Sequence, residues 1–382
     1  MRKIAPIPHF GSAESTLATK VTGDSSSAIS VIEISGPSAK AWIDRHWKPA
    51  NGQNELRTNA IRFGEFSFDS LSSESIIVCR TSENRYELHC HGGKLAAQSI
   101  LNMMDAEGIV IETYENWCER NCADPLIAQA TIGLVKAKTI RTARILLDQQ
   151  KGASVRALKQ IDAAILQGEM QLARRLADEI RIWNDLGLHL IEPFEILLCG
   201  PPNVGKSSLL NRLIGYQRAI VHEQAGTTRD MLAEESSIDG WPVRIQDSAG
   251  IRTAGDVIEK EGVRRAIHAS RTADLLLILV DPAEGWTTEH QHLLDLNPSR
   301  SLMVETKSDV TLENKTCSYH QAEANTRPIR VSSVSGDGIP ELLQAISKRL
   351  VPTIPPAGQA VLITTLQQQS LEDRFSGRIT SR

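Results

Sequence analysis

Residues 200–211 read Gly-Pro-Pro-Asn-Val-Gly-Lys-Ser-Ser-Leu-Leu-Asn. They follow the short apolar run Ile196–Cys199 and lead into Leu209, Leu210 and Leu213 at helical spacing. A strand, a glycine-containing loop and then a helix is the setting in which backbone N–H groups curl around a phosphate. The helix N-terminus adds partial positive charge there. Lys206 is placed to reach the β- and γ-phosphates, and the Ser207 hydroxyl to ligate Mg²⁺. Asn203, Val204, Gly205 and Ser208 supply the rest of the cradle. The remainder of the chain decides which nucleotide is bound.

Downstream, Gly226-Thr227-Thr228-Arg229-Asp230 is a polar loop before a strand, and Thr228 is placed to complete Mg²⁺ coordination beside a γ-phosphate. The strand Val243–Gln246 ends in Asp247-Ser248-Ala249-Gly250. A carboxylate there can hold Mg²⁺ through water, and the Gly250 N–H can meet the γ-phosphate. After the apolar strand Leu275–Val280 and a helix, Leu302–Glu305 leads to Thr306-Lys307-Ser308-Asp309. The two oxygens of Asp309 can accept the N1–H and the N2 amine of guanine. Adenine has no donor at either place and would leave that carboxylate unpaired. Lys307 packs its stem along the base, and the backbone N–H of Ser333, after the strand Arg330–Ser332, reaches guanine O6. Each later motif is weak alone. Five in this order, each at a strand-to-loop junction, specify a GTP-binding α/β domain with a mostly parallel sheet and helices on both faces.

The chain has 382 residues, 23 % charged and 41 % hydrophobic, which suits a soluble protein of two or three domains. A net charge of −4 implies no bulk grip on nucleic acid. No apolar run has the length of a membrane span, and no signal-peptide core follows the basic start. Six scattered cysteines suit free thiols in a reducing cytoplasm. Residues 1–113 alternate short strands and helices as a small α+β domain. Residues 114–193 are helical, beginning with one long helix from Asp124 to about Gln150. The nucleotide domain covers 194–350, and 351–382 is a proline-containing linker with one short helix near Leu366–Phe375. His89, Cys90 and His91 alternate across a strand, with Cys118 and Cys122 one helical turn apart, and read as ordinary side chains rather than a metal site.

Many GTPases orient the attacking water with a glutamine directly after Asp-x-x-Gly; here that position is Ile251. A monovalent cation held by Asn203, loop carbonyls from His222–Ala225 and the phosphates would stabilise the charge that an arginine finger otherwise meets.

These residues resemble the MnmE (TrmE) family of tRNA-modification GTPases. The likeness runs from about residue 15 to 350. It is carried by the phosphate loop, by Arg218–Val221 through Gly226–Asp230, by Ile238-Asp239-Gly240, by Asp247–Arg252 and by Glu259 through Gly262 to Ala266. Outside that domain Ile34-Ser35-Gly36 and Glu87–Gly93 also match. The resemblance implies a potassium-stimulated GTPase working as a homodimer. Its K⁺ ligands fall on Asn203, His222, Gln224 and Thr227, and Glu259 aligns with the acidic residue that orients the hydrolytic water. Glu259, Lys206 and Asn203 are then the catalytic set. The resemblance further implies an N-terminal domain that dimerises and binds 5-formyl-tetrahydrofolate, a flavoprotein partner, MnmG, and the wobble uridine of tRNA as the target. The chain departs from the family in three places. Gly23-Asp24-Ser25-Ser26 replaces Gly-Arg-Gly-Gly. The helical segment after the GTPase domain is short, and no cysteine follows Cys317. Thr306 also stands for the usual Asn. The alternative expectation is a GTP-dependent regulatory switch that has lost the tRNA chemistry.

Overall fold

Leu275–Val280 (β11) is apolar at every position and buried at every position, as a strand covered on both faces must be. It lies inside a six-stranded sheet of order β13-β12-β11-β8-β10-β9. Its members are β8 (Phe194–Cys199), β9 (Ala233–Ile238), β10 (Trp241–Asp247), β12 (Ser301–Glu305) and the two-residue β13 (Ile329–Arg330). All pairings are parallel except β9 with β10, a hairpin at the edge. This is a computed structural model, and it describes residues 15–23, 27–52, 56–68, 72–218, 233–247, 271–310 and 327–376. The parallel order brings the carboxyl ends of β8, β10, β11 and β12 to one edge, where the loops of an open α/β sheet bind ligands.

The chain divides into two units, Met1–Val135 with Gln150–Val155, and Lys136–Gln149 with Arg156–Arg382. The helical residues between the sheets are therefore shared out between both. The first unit holds a seven-stranded sheet of order β3-β4-β5-β6-β2-β1-β7. The strands are Leu17–Lys20 (β1), Ile29–Ser35 (β2), Trp47–Pro49 (β3), Ile61–Ser67 (β4), Ser73–Ser82 (β5), Arg85–His91 (β6) and Val110–Ile111 (β7). Ile32, Ile34, Phe66, Ile76, Val78 and Leu88 point into a core closed by Trp42, Ile43, Ile100 and Met104 of the helices Ala39–His46 and Lys94–Ala106. On the other face β4 and β5 alternate outward, and the cross-strand pair Phe63–Ile77 lies exposed beside Ile61.

The long helix expected from Asp124 is two helices, Pro125–Lys136 and Ile140–Gln150. Asp124 accepts the Leu126 N–H (2.9 Å) at the first start. Thr139 accepts the Thr142 N–H (3.2 Å) and opens a second helix, because a threonine hydroxyl competes well for an amide that a continuous helix would use. The second helix meets the β9–β10 turn within its own unit. Arg141 donates to both carboxylate oxygens of Asp239 (3.0 and 3.1 Å) and lies over the Trp241 ring. Thr139 donates to the Gly240 carbonyl (2.7 Å), and Ser347 of the helix Ile339–Leu350 adds a bond to Asp239 (2.9 Å).

Residues after the nucleotide domain complete the helical part of the second unit. Val361, Leu362, Ile363 and Leu371 are buried, and the Leu362 carbonyl lies so close to Gly187 that a Cβ there would sit 2.0 Å away. The buried Gln149 side chain donates to the Gln359 carbonyl (2.9 Å) and accepts the Val361 N–H (3.1 Å). Arg181 is bidentate to Glu372 of the helix Thr365–Asp373 (2.8 Å each), and Arg374 pairs with Asp162 (2.7 Å).

Candidate functional site: a phosphate loop and a base-recognition loop on one sheet edge

β8 ends at Cys199, and the chain turns at Gly200 with φ +145°. A Cβ there would stand 2.7 Å from the Leu279 carbonyl, so the turn requires glycine. Asn203 takes φ +62°, a left-handed conformation that asparagine tolerates better than most residues, and Gly205 takes +103°. The helix Lys206–Arg218 then starts at once. The N–H groups of its first turn point toward the loop, which is how a helix N-terminus receives an anion. Leu209 and Leu213 bury its inner face, and Val204 is buried beneath the loop. Lys206 is buried too, and its ammonium donates to the Gly200 and Pro201 carbonyls (2.9 and 2.8 Å). Burying an ammonium is costly without such acceptors, and these two hold it inside the loop.

Register places the end of β10 beside this loop, with Asp247 opposite Leu198. The Ser207 hydroxyl donates to Asp247 Oδ2 at 2.9 Å. Two residues forty positions apart, both expected to serve one metal, thus meet in the fold. The donor set is a hydroxyl and a carboxylate, hard oxygens that suit Mg²⁺. Among the described residues no group of three or more His, Cys, Asp or Glu side chains is placed to hold a metal. Mg²⁺ takes few protein ligands and completes its shell with phosphates and water. When bound, Mg²⁺ would neutralise charge on the phosphate oxygens.

The segments expected to recognise the base lie at the ends of β11, β12 and β13. Thr306 is buried; its N–H donates to the Val280 carbonyl (2.9 Å), and its hydroxyl to the Val204 carbonyl of the phosphate loop (2.7 Å). Threonine at this position therefore ties the two loops together. Lys307 has φ +57°, and its ammonium donates to Asp281 Oδ2 at 2.6 Å. The other oxygen of Asp281 accepts the Ala283 N–H (2.9 Å). Burial pushes the Asp281 carboxyl upward, but the Lys307 ammonium and the Ala283 amide outweigh it and hold the group below the usual carboxylate range. Ser308 donates its N–H to the Val331 carbonyl (3.1 Å). Asp309 is exposed and Ser333 half-buried. Ser332, beneath the last loop, accepts the N–H groups of Val334 and Ser335 (3.2 and 3.0 Å).

Asn203, Val204, Gly205, Lys206, Ser207, Ser208, Asp247, Thr306, Lys307, Asp309 and Ser333 thus belong to loops that share one sheet edge. His222, Gln224, Thr227, Thr228, Gly250, Ile251 and Glu259 lie outside the described residues. Asp281 was not among the expected site residues. Its signal in the chain is an acidic residue directly after a wholly apolar strand. In the first unit Cys90 is buried between His89, which meets Glu87 (3.2 Å), and His91, which meets Glu74 (2.9 Å). Burial pushes the Cys90 thiol up to about 11, so it is not a thiolate at neutral pH.

Residues 195–314 match the family described as 50S ribosome-binding GTPase. The tRNA modification GTPase MnmE of Synechococcus sp. strain WH7803 is 31 % identical over 361 residues, covering 84 % of this chain and 78 % of the relative. That of Prochlorococcus marinus strain MIT 9303 is 30 % identical, covering 90 % and 82 %. A crystal structure of Era is similar at 26 % identity and a TM-score of 0.33, over 43 % of this chain and 58 % of that one. The chain is a P-loop GTPase, an enzyme that hydrolyses GTP.

Proposed function

The chain belongs to the MnmE family of tRNA modification GTPases, and we propose that it is a potassium-assisted GTPase acting in tRNA wobble-uridine modification. The observation that carries this reading is the meeting of Ser207 with Asp247 at 2.9 Å beside the buried Lys206, at the mouth of a loop entered through the left-handed Asn203. In this reading the first helical turn and Lys206 bind and orient the phosphates. Ser207 and Asp247, with Thr228, hold Mg²⁺, and Gly250 donates to the γ-phosphate. Asp309 accepts the two guanine donors, Lys307 flanks the base and the Ser333 N–H reaches O6. Asn203, His222, Gln224 and Thr227 hold K⁺, and Glu259 orients the water that Ile251 cannot.

The exposed apolar pair Phe63–Ile77 supports a homodimer formed through the first unit, since contiguous apolar area on a sheet face is costly to leave in water. The family's flavoprotein MnmG and tRNA are the partners, and the cytoplasm is the compartment. Among the described residues no helix is long and apolar enough to cross a membrane. The reading carries no folate step, because Asp24 stands where the family has an arginine.

GTP hydrolysis in KCl against NaCl, with Asn203→Ala alongside, tests the mechanism. Potassium stimulation is expected, and it is lost in the variant. Equal rates in both salts would remove the cation and leave a slow GTP-operated switch. Analysis of wobble nucleosides after deletion tests the tRNA role; an unchanged nucleoside profile would count against it.

A further inference from the structure

We propose that Asp281 is a positioning residue for guanine recognition, anchoring the Lys307 ammonium so that the lysine stem forms a fixed wall for the base and leaves the Asp309 carboxylate free to accept it. The inference rests on reading Thr306–Asp309 as the base-recognition loop.

Asp281 follows directly on β11 and is only 6 % exposed. Both its oxygens are used, one by the Ala283 amide and one by the Lys307 ammonium. The backbone around Lys307 is equally constrained. Thr306 is tied to the Val280 and Val204 carbonyls, Ser308 to the Val331 carbonyl, and Lys307 itself sits at φ +57°. What remains variable is the lysine side chain, long and rich in rotamers. Asp281 removes that freedom.

The pair is not needed to hold the strands together. β11 and β12 are already paired through Val280 and Glu305, and the Thr306 N–H extends the ladder. A lysine whose side chain is 42 % exposed also gains little net stability from an ion pair. Its consequence is local. A stem stretched between a left-handed backbone and a buried carboxylate presents methylene groups along a fixed line, an apolar surface on which a planar base can lie. An unanchored ammonium two residues from Asp309 would instead compete for that carboxylate, whose oxygens must both stay available to accept the N1–H and N2 donors of guanine.

The test uses the full chain and two probes, GDP and inorganic tripolyphosphate, titrated by calorimetry. In Asp281→Asn the amide oxygen can keep the Ala283 bond while the negative charge is lost. GDP affinity is expected to fall about tenfold, the size of one lost charge-assisted contact, with KM for GTP rising in step. Tripolyphosphate affinity and kcat stay unchanged, because neither involves the base. If both ligands weaken together, or neither does, the proposal is overturned. In the double variant Asp281→Asn/Lys307→Met the competing ammonium is gone, so part of the GDP affinity returns; no recovery also overturns it. Asp309→Asn separates this from the underlying reading, because an amide can donate to the C2 carbonyl of xanthine and should shift preference to xanthosine diphosphate. Failure of that shift removes the base-recognition reading itself. A successful shift with native GDP binding in Asp281→Asn removes only the role of Asp281.

Discussion

The two sheets bury themselves differently. β11 is apolar throughout and covered on both faces, so its only available chemistry is at its end, where Asp281 emerges. β4 and β5 alternate, with Phe66, Ile76 and Val78 inward and Ile61, Phe63 and Ile77 outward at 65, 56 and 36 % exposure. Their chemistry is on a face. A parallel sheet sealed by helices concentrates polar side chains at loop junctions, where a small ligand can be surrounded. A mostly antiparallel sheet with an exposed apolar patch on one face offers area instead, which suits a macromolecular partner.

That contrast can be broken most directly by stability. Leu277→Ala, in the middle of β11, is expected to cost about 2–5 kcal/mol. Phe63→Ala should stay within about 0.5 kcal/mol in the monomer while weakening self-association. Urea denaturation and light scattering read the two effects. Equal costs would mean that Phe63 is covered within one chain, and the contrast would fail.

Next in size is the strand-end chemistry. Lys206→Ala is expected to lower GTP turnover by about 10²–10³-fold, as removal of a donor from a charge-stabilising site does. The mass measured by light scattering should not change in the absence of nucleotide. Phosphate-release kinetics decide the first point. A turnover within about threefold of native would place the phosphates elsewhere.

The smallest effect is a pair of opposite pH trends. Burial raises the Glu33 carboxyl despite Arg85 and the Trp117 indole, each at 2.8 Å. Its folded pKa lies above the unfolded value of about 4.3. The stabilisation is therefore present below that value and is lost as pH rises through the folded one. Asp281 is held low by Lys307, so its contribution is present above about pH 3.9 and is lost as pH falls through the folded pKa. Thermal unfolding from pH 3 to 7 should show Glu33→Gln and Asp281→Asn flattening slopes of opposite sign. Slopes of the same sign would mean that the two carboxylates are not held in opposite ways.

The phosphate loop was legible because Gly200, Asn203, Gly205, Lys206 and Ser207 fall within one short stretch, and their roles follow from one local turn. Asp247 and Asp309 were legible for a similar reason, each belonging to a short motif, Asp247-Ser248-Ala249-Gly250 and Thr306-Lys307-Ser308-Asp309, met in the expected order along the chain. Asp281 stands directly after an apolar strand, but its partner lies 26 residues away, and no spacing rule connects the two. The strands β1 and β7 carry too few residues for a periodic signal, and β9 reads Ala-Glu-Glu-Ser-Ser-Ile, with almost no apolar pattern. The break at Thr139 was hidden because the residues on both sides are good helix formers, and a capping hydroxyl decides the matter. Residues 351–382 read as linker and short helix. In the fold Val361, Leu362 and Leu371 are buried and Gln149 holds the segment from 210 positions away.

By itself the sequence determined the chemistry of the ligand: phosphate, a hard cation and a base with two adjacent donors. Those features depend on which groups sit side by side within each short motif, and covalent order specifies that. The tertiary structure decided which distant groups complete the loops: Thr306 on the Val204 carbonyl, Ser207 on Asp247, Lys307 on Asp281, Arg141 on Asp239. Hydrogen bonds and ion pairs act over about 3 Å, and which residues approach that closely is set by strand register and helix packing rather than by any short stretch of chain.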